Sequence, residues 1–210
     1  MGFIGLQLPQ RYGDDISASE LLFSYGFLEK ERTEAKELLL DVDIPDDDPL
    51  KIAKKFYSSE TPLIKFWVNP ESSEAMWQSL IVLWACVNQE DGLHIRVLQK
   101  TDEGVELGVT WKGEELREPQ NLPQLLQKDP LWDIFYLRAI VLVLERLEDQ
   151  YIVLRATEKA LSEIRQEEED MLQSTFRSDV FWAASKLHKL EDELLIKCID
   201  DFTEKVSDAS

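Results

Sequence analysis

The segment Leu131-Trp-Asp-Ile-Phe-Tyr-Leu-Arg-Ala-Ile-Val-Leu-Val-Leu-Glu-Arg-Leu147 is the most apolar stretch of the chain and decides its fold class. The chain reads as helical from Gln120 onward, and a second helix over Tyr151–Glu169 is predicted after a break near Asp149. A last helix is predicted to start near Ser178, because apolar residues recur there with helical spacing. Its stripe consists of Val180, Ala184, Leu187, Leu190 or Glu191, Leu194, Cys198 and Phe202. The sequence therefore predicts a mainly α fold.

A change of period between Leu93 and Trp111 predicts a small β-hairpin within this helical chain. The alternate apolar residues are Leu93, Ile95 and Val97 in the first half and Val105, Leu107, Val109 and Trp111 in the second. Alternation with period two is the pattern of a strand. Turn-forming residues over Lys100–Gly104 separate the two halves.

Two further elements are predicted upstream of the hairpin. Leu38–Ile44 fits a short strand. Asp46–Pro49 fits the start of a helix that runs to about Tyr57, because acidic residues and proline favour the first turn. The three carboxylates of this start would also suit a cation, although such a cluster more often serves the helix dipole.

The region between that helix and the hairpin is less regular. The apolar run Leu63–Val68 lies between two prolines and is left unassigned. Ser72 or Ser73 is predicted to open a strong helix that extends to Val87, apolar enough to be buried on several sides. Its apolar residues are Met76, Trp77, Leu80, Ile81, Leu83, Trp84 and Val87.

The charge of the chain limits the partners that it can have. The 210 residues, 44% of them hydrophobic, can bury a full core, and 42 acidic against 23 basic residues give a net charge of −19. So acidic a chain is a poor nucleic-acid binder, because binding to phosphates requires lysine and arginine. The charge either gives solubility alone or attracts a basic protein, and the residues leave both interpretations open.

The sequence gives no sign of a membrane or secretory destination. No apolar run approaches the roughly 20 residues of a membrane span. The N-terminus lacks the features of a signal peptide, and Leu6 stands where a myristoylation signal requires serine or threonine. Two cysteines, Cys86 and Cys198, indicate a reducing compartment, with the cytoplasm or nucleus as the default.

Catalytic signals outside the N-terminal region are weak. His94 and His188 lack neighbours at metal-ligand spacing and fit surface positions, so no metal site is predicted. Cys86 and Cys198 fall within apolar periodicity, which favours buried packing over nucleophilic chemistry. The six tryptophans fit core positions better than a platform for a ligand.

The most informative segment for function is Arg11-Tyr-Gly-Asp-Asp-Ile-Ser-Ala-Ser-Glu-Leu-Leu-Phe-Ser-Tyr-Gly-Phe27, which holds two Tyr-Gly pairs. Ser17 to Glu20 fits a capping box and predicts a helix of about a dozen residues, with Gly26 inside it. Tyr12 and Tyr25 are either ordinary turn aromatics or the walls of one channel. Tyrosine hydroxyls suit the orientation of a lysine amine for methyl transfer, because they are polar without being charged.

This segment resembles the end of the SET domain in protein-lysine methyltransferases of the Rubisco large-subunit methyltransferase type. In that family the domain closes with Tyr-Gly, a short Ser-Asn-containing link, Glu-Leu, and a second Tyr-Gly-Phe; this chain has Ser17-Ala-Ser-Glu20-Leu21 at the link. The resemblance implies that Tyr12 is catalytic, that Tyr25 is the second tyrosine of the lysine channel, and that Phe27 lies near the adenine of S-adenosylmethionine. It also implies that most cofactor residues, including a Gly-rich loop and an Asn-His pair, precede such a segment.

The resemblance also implies a division of the chain. Residues 1–30 would be the C-terminal end of the SET core, and residues 31–210 a helical substrate-binding domain with the small hairpin. The partner would be a basic protein, such as a lysine-rich ribosomal or translation protein, with neither nucleic acid nor membrane involved. Two alternatives stay open: a non-catalytic helical module that binds a basic protein, and an unrelated helical adaptor.

Overall fold

The computed structural model describes residues 16–58, 62–101, 104–170 and 178–208. In these residues, helices predominate over strands, and the strands form two small antiparallel sheets. The elements are α1 (Ala18–Tyr25), β1 (Leu38–Asp41), α2 (Lys51–Ser58), β2 (Leu63–Val68), β3 (Ala75–Gln78), α3 (Leu80–Ala85), β4 (Leu93–Thr101), β5 (Gly104–Trp111), β6 (Glu114–Glu115), a 3-10 turn (Pro119–Asn121), α4 (Leu122–Gln127), α5 (Trp132–Asp170) and α6 (Ser178–Asp208).

Helix α5 is continuous through the position where a break was predicted. It runs for 39 residues without interruption at Asp149, so that prediction was wrong. The segment contains neither glycine nor proline, and polar residues at the exposed positions do not interrupt a helix whose opposite face stays buried. Leu147 and Leu154, one heptad apart, continue that buried face against α6.

Helix α6 (Ser178–Asp208) packs along α5, and its predicted start near Ser178 lies at the edge of the described residues. The predicted stripe is confirmed from Leu187 onward, whereas Val180, nearer the start, is 53% exposed. The sequence could not decide between Leu190 and Glu191. The structure buries Leu190 to 5% exposure and leaves Glu191 half-buried.

Of the sheet β1–β2–β3 the sequence predicted only β1: a strand was expected over Leu38–Ile44, and it spans Leu38–Asp41. The unassigned run Leu63–Val68 is its central strand, with Ile64 and Phe66 fully buried on one face. The predicted helix from Ser72 or Ser73 to Val87 was wrong, because its first half is β3 and only its second half is helical. The side chain of Ser79 accepts a hydrogen bond from the backbone N–H of Val82 and starts α3 afresh.

The predicted hairpin is confirmed. β4 and β5 pair in antiparallel register, with Leu93 opposite Trp111 and Val97 opposite Leu107. The register shifts between Val97 and Gln99, and the two-residue β6 adds a third strand beside the base of β5. Leu93 is fully buried, so the base of the hairpin is fixed in the core.

The acidic start of α2 contacts lysines. The helix begins at Lys51, slightly later than predicted. The Asp48 carboxylate accepts a hydrogen bond from the backbone N–H of Leu50 at 2.7 Å and also pairs with Lys54. Asp46 pairs with Lys51 at 2.6 Å. Two of the three candidate carboxylates are thus neutralised by lysines of the helix that they precede.

The core joins both sheets to the helices in one cluster of buried residues. Trp84 and Trp111 belong to it, as the core interpretation of the tryptophans predicts, whereas Trp182 is 39% exposed. Within the described residues no helix has both the length and the apolarity that a membrane span requires.

Candidate active-site segment

Helix α1 carries the C-terminal half of the Tyr-Gly segment, and the predicted cap starts it. Ser17, which is 3% exposed, accepts a hydrogen bond from the backbone N–H of Glu20 at 3.1 Å. The helix is eight residues long instead of about twelve. Because α1 has only eight residues, this capping bond is expected to contribute a large part of the stability of the helix.

Replacing Ser17 by alanine is expected to lower the free energy of unfolding by about 1 kcal/mol, because one N–H of the first turn loses its acceptor. Urea unfolding of the purified chain measures the difference. Ser24→Ala, at an exposed position in the same helix, is the matched control, because Ser19 also bonds to the Ser17 hydroxyl at 3.2 Å. A Ser17 variant as stable as the Ser24 variant would contradict the role of the cap.

Gly26 ends α1 instead of lying inside it, which corrects the prediction. Its backbone is left-handed, with φ of 77°, and its N–H bonds to the carbonyl of Leu22 at 3.0 Å. A left-handed residue after the last turn is where glycine is favoured. Within the described part of the chain, the close approach expected at Gly26 is not found, because no non-neighbouring atom lies within 4 Å of where a Cβ would stand.

The inner face of α1 is fixed to the body of the protein. Ala18 and Leu21 are buried, and the N–H of Ala18 bonds to the carbonyl of Ala35 at 3.0 Å. The ammonium group of Lys186 on α6 donates to the carbonyl of Glu29 at 2.9 Å and to that of Lys30. The segment that follows α1 is therefore held on α6.

The structure places two of the three predicted site residues together at the end of α1. Tyr25 is the last residue of the helix and is 49% exposed. Phe27 follows Gly26 and is half-buried. The third, Tyr12, lies with Gly13 outside the described residues. Phe23, 81% exposed, adds an aromatic ring to the solvent side of the helix.

The two cysteines are free and buried. Burial raises the pKa of the thiol of Cys86 and that of Cys198 to about 12. A thiol with so high a pKa stays protonated at neutral pH, and the thiolate is the reactive form. The buried-packing interpretation of both residues is confirmed.

The histidines serve no catalytic cluster in the part of the chain that is described. His94 is exposed on β4, as predicted. His188 is half-buried, and its Nε2 lies 2.9 Å from the carbonyl oxygen of Leu154, so it links α6 to α5 instead of standing on the surface. No group of three His, Cys, Asp or Glu residues among the described ones is arranged to hold a metal ion.

A groove of about 900 Å³ lies between β2 and α6, and sequence reasoning missed it. We call it the β2–α6 groove. Its lining includes Lys36, Lys65, Trp67, Asn69, Glu193 and Lys197. Neither Tyr25 nor Phe27 lines it. The residues come from three segments far apart in sequence, so no local pattern could have indicated the groove.

Asp201 joins α6 to β3 beside this groove. Its carboxylate accepts hydrogen bonds from the backbone N–H of Ala75 at 2.8 Å and from the ammonium group of Lys197 at 2.7 Å. Burial acts to raise the pKa of Asp201, but these two bonds outweigh it and lower the pKa below the ordinary value of 3.8. Asp201 therefore stabilises the fold above its unfolded pKa, and this stability is lost as pH falls through the folded pKa.

Asp201→Asn is expected to lower the free energy of unfolding at pH 7 by about 1 kcal/mol, because both hydrogen bonds lose the negative charge of their acceptor. The deficit relative to the native chain should shrink as pH is lowered stepwise below 4, where the native carboxylate also becomes protonated. Guanidinium unfolding across this pH range measures both quantities. A deficit that does not change with pH would contradict the assignment.

Comparison with known proteins gives one relationship. Over 141 residues, or 66% of its length, the chain is 31% identical to SET domain-containing protein 8 of Schizosaccharomyces pombe. The similarity supports a SET-domain family. The matching part spans 32% of the fission yeast protein, about a third of its length. No protein-family model and no solved structure matches the chain.

Proposed function

We propose that this chain is the C-terminal portion of an S-adenosylmethionine-dependent protein-lysine methyltransferase of the Rubisco large-subunit methyltransferase type. The agreement of two observations carries the proposal: the chain contains the double Tyr-Gly segment, and it is 31% identical, over 66% of its length, to a SET domain-containing protein. SET-domain families methylate lysine in general, with S-adenosylmethionine as donor. In this proposal, residues 1–30 close the SET core and residues 31–210 bind the protein substrate.

The proposed roles fall on three residues. Tyr12 and Tyr25 line the lysine channel, where their hydroxyl oxygens orient the neutral amine in line with the methyl donor. S-adenosylmethionine, when bound, would supply a methyl group from its sulfonium and leave as the neutral thioether, and the lysine ammonium would lose one proton before the transfer. Uncharged hydroxyls suit this task, because a carboxylate would hold the amine as ammonium.

The structure supports these roles through the way α1 is held. A channel wall must be rigid if it is to align reacting atoms. Leu21 and Ala18 are buried beneath the helix, and Gly26 fixes its end. Tyr25 and Phe27 lie on either side of Gly26, at this anchored end of the helix. Phe27, a half-buried aromatic residue, fits a contact with an adenine ring, and the remaining cofactor contacts would come from residues upstream of this chain.

The charge of the chain supports a basic protein as the substrate. The net charge of −19 creates a negative field that raises the rate of encounter with a lysine-rich protein. Such steering depends on ionic strength, because salt screens exposed charges beyond about 8 Å at physiological concentration. Methylation of the substrate should therefore slow as salt is added.

The test uses the extended protein, defined as this chain preceded by the residues that its gene encodes upstream of Met1. The proposal requires those residues to include the Gly-rich loop and the Asn-His pair. The extended protein should bind S-adenosylmethionine with a micromolar Kd in a calorimetric titration, and Phe27→Ala should weaken binding about tenfold through the loss of ring stacking. Phe56→Ala, at an exposed position on α2, is the control.

Either of two outcomes would contradict the proposal. One is an upstream coding sequence that lacks both motifs. The other is an extended protein that is folded, by circular dichroism, and yet does not bind S-adenosylmethionine. Equal affinity of the Phe27 and Phe56 variants would remove Phe27 from the cofactor site and leave the rest of the proposal standing.

The alternative is a non-catalytic helical module that binds a basic protein, and the strong acidity of the chain favours it. Such a module captures a lysine-rich ribosomal or translation protein whether or not S-adenosylmethionine is added. Pull-down with the unextended chain tests this binding. Capture that persists in a double variant Tyr12→Phe, Tyr25→Phe, together with absence of methyl transfer by the extended protein, would favour the module.

A further inference from the structure

The strand β4 is an open sheet edge. In its sheet the order is β4–β5–β6, so β5 lies on one side of β4 and no described strand lies on the other. The other edge of β5 already has hydrogen-bond partners. β6 pairs with Thr110 and Trp111 there, and the hydroxyl of Tyr57 donates to the carbonyl of Leu107 at 2.8 Å. The edge left for another strand is that of β4.

The outer half of β4 extends away from the body of the protein. Four consecutive residues, Arg96 to Gln99, are exposed, so both faces of the strand meet solvent there. Two of them are apolar: Val97 is 61% exposed and Leu98 50%. Leu93 at the base is fully buried. The hairpin is thus anchored at one end and carries an uncovered apolar pair beyond it.

β4 is basic in a chain that is strongly acidic. Leu93–Thr101 contains His94, Arg96 and Lys100 and neither aspartate nor glutamate, although the whole chain carries a net charge of −19. Arg96 lies opposite Gly108, which has no side chain to pair with it. Among the described residues no carboxylate forms an ion pair with Arg96.

We propose that the edge of β4 binds an extended peptide of alternating acidic and apolar residues as an additional strand. The backbone of β4 would supply the hydrogen bonds, as in other cases of strand addition. Apolar side chains of the peptide would cover Val97, and a carboxylate would pair with Arg96 across the strands. The five residues Leu93–Val97 precede the register shift and span about 16 Å. The N–H of Leu93 already bonds to the carbonyl of Asn88 at 3.1 Å, so the N–H groups that an added strand would use are those of Ile95 and Val97.

Charge argues against a second copy of the chain as the occupant. If two β4 strands paired with each other, their basic residues would be brought together, and like charges across strands are destabilising. The register shift between Val97 and Gln99 also limits long pairing between identical strands. Both features favour a short acidic strand over a second copy of β4. This binding does not depend on methyl transfer and goes beyond the proposed function.

The experiment titrates the full 210-residue chain with a fluorescent peptide of alternating valine and glutamate, followed by fluorescence anisotropy. A peptide of alternating valine and lysine, with the opposite charge and the same length, is the control. A third peptide, with valine and glutamate but N-methylated at alternate residues, cannot complete the strand hydrogen bonds. Hydrogen exchange of the complex then locates the contact. The expected result is binding at β4 by the first peptide alone, seen as slower exchange of the amides of Ile95 and Val97, because the acidic surface attracts the basic peptide elsewhere.

Arg96→Glu should weaken binding of the acidic peptide by at least about tenfold, because an attraction becomes a repulsion across the strands. Lys128→Glu, an equal change of charge at an exposed position just after α4, is the control and should leave binding unchanged. Circular dichroism checks that both variants fold, and the N-methylated peptide tests the edge on the native chain.

Several results would overturn the proposal. They are no binding of the acidic peptide, equal protection of β4 by the basic or N-methylated peptide, slower exchange only away from β4 with the acidic peptide, and an equal loss of binding in the Lys128 variant. Sedimentation equilibrium adds one more: a stable dimer in which Ile95 and Val97 are protected without any peptide would show that a second copy covers the edge.

Discussion

Replacing Lys54 by methionine is expected to lower the free energy of unfolding by about 3–5 kcal/mol, because the change leaves a buried carboxylate without its counter-ion. Lys54 is fully buried on α2. Its ammonium group pairs with Asp48, whose side chain is 11% exposed, and donates to the carbonyl of Val87 at 2.6 Å. These bonds tie α2 to the residues that follow α3.

The neighbouring Lys55 provides a matched control. It pairs with Asp43 at 2.7 Å, but its side chain is 45% exposed. Lys55→Met should therefore cost less than about 1 kcal/mol, as exposed ion pairs contribute little. Chemical denaturation measures both variants. Equal stability of the Lys54 and Lys55 variants would contradict the structural role of the buried pair.

A double variant separates two contributions to the loss of stability in Lys54→Met: the unpaired carboxylate and the lost packing. Lys54→Met combined with Asp48→Asn removes the lone charge together with its partner. The double variant should be more stable than Lys54→Met alone, because the uncompensated carboxylate accounts for much of the penalty. A double variant less stable than either single variant would show that the penalty comes from lost packing.

Tyr12→Phe is expected to reduce the rate of methyl transfer by the extended protein about 10²–10³-fold, because removal of one preorganised polar group from a reaction centre has this size of effect. The substitution keeps the aromatic ring, so the fold and the affinity for S-adenosylmethionine should be unchanged. Single-turnover assays give the rate, and calorimetry gives the affinity.

Tyr136→Phe is the control for the removal of a hydroxyl. Tyr136 is half-buried on α5, and its ring stacks on Trp77 with centroids 6.3 Å apart. Its substitution should leave the rate of transfer unchanged. Equal rates for the native protein and for Tyr12→Phe would remove Tyr12 from the mechanism.

The elements that the sequence predicted well are those with strong local signals. Ser17 is a cap residue in the expected place. The period-two alternation from Leu93 to Trp111 predicted the hairpin. The stripe from Leu187 to Phe202 predicted the buried face of α6. In each case neighbouring residues alone determine the conformation, so the pattern is visible without the rest of the molecule.

The misses arose where distant residues decide the conformation. Ala75–Gln78 has apolar residues that also fit a helix, but pairing with β2 makes it a strand. Gly26 was expected inside a helix because the sequence does not show where α1 must turn toward Lys186. The predicted break at Asp149 underestimated how far packing against α6 extends α5.

The candidate site was only partly predictable. The resemblance singled out Tyr25 and Phe27, and the structure places both at the end of one anchored helix. Their roles in catalysis and cofactor binding remain proposals. The open edge at β4 has a partial signal in the sequence, since Arg96 and Lys100 stand in a strand without acidic residues.

The central claim is that this chain belongs to a working protein-lysine methyltransferase. Its most direct test is mass spectrometry of a lysine-rich protein after incubation with the extended protein and S-adenosylmethionine. The predicted result is the mass of added methyl groups on lysine, lost with Tyr12→Phe and kept with Tyr136→Phe. A folded extended protein that captures the lysine-rich protein and yet leaves every lysine unmodified would contradict the claim.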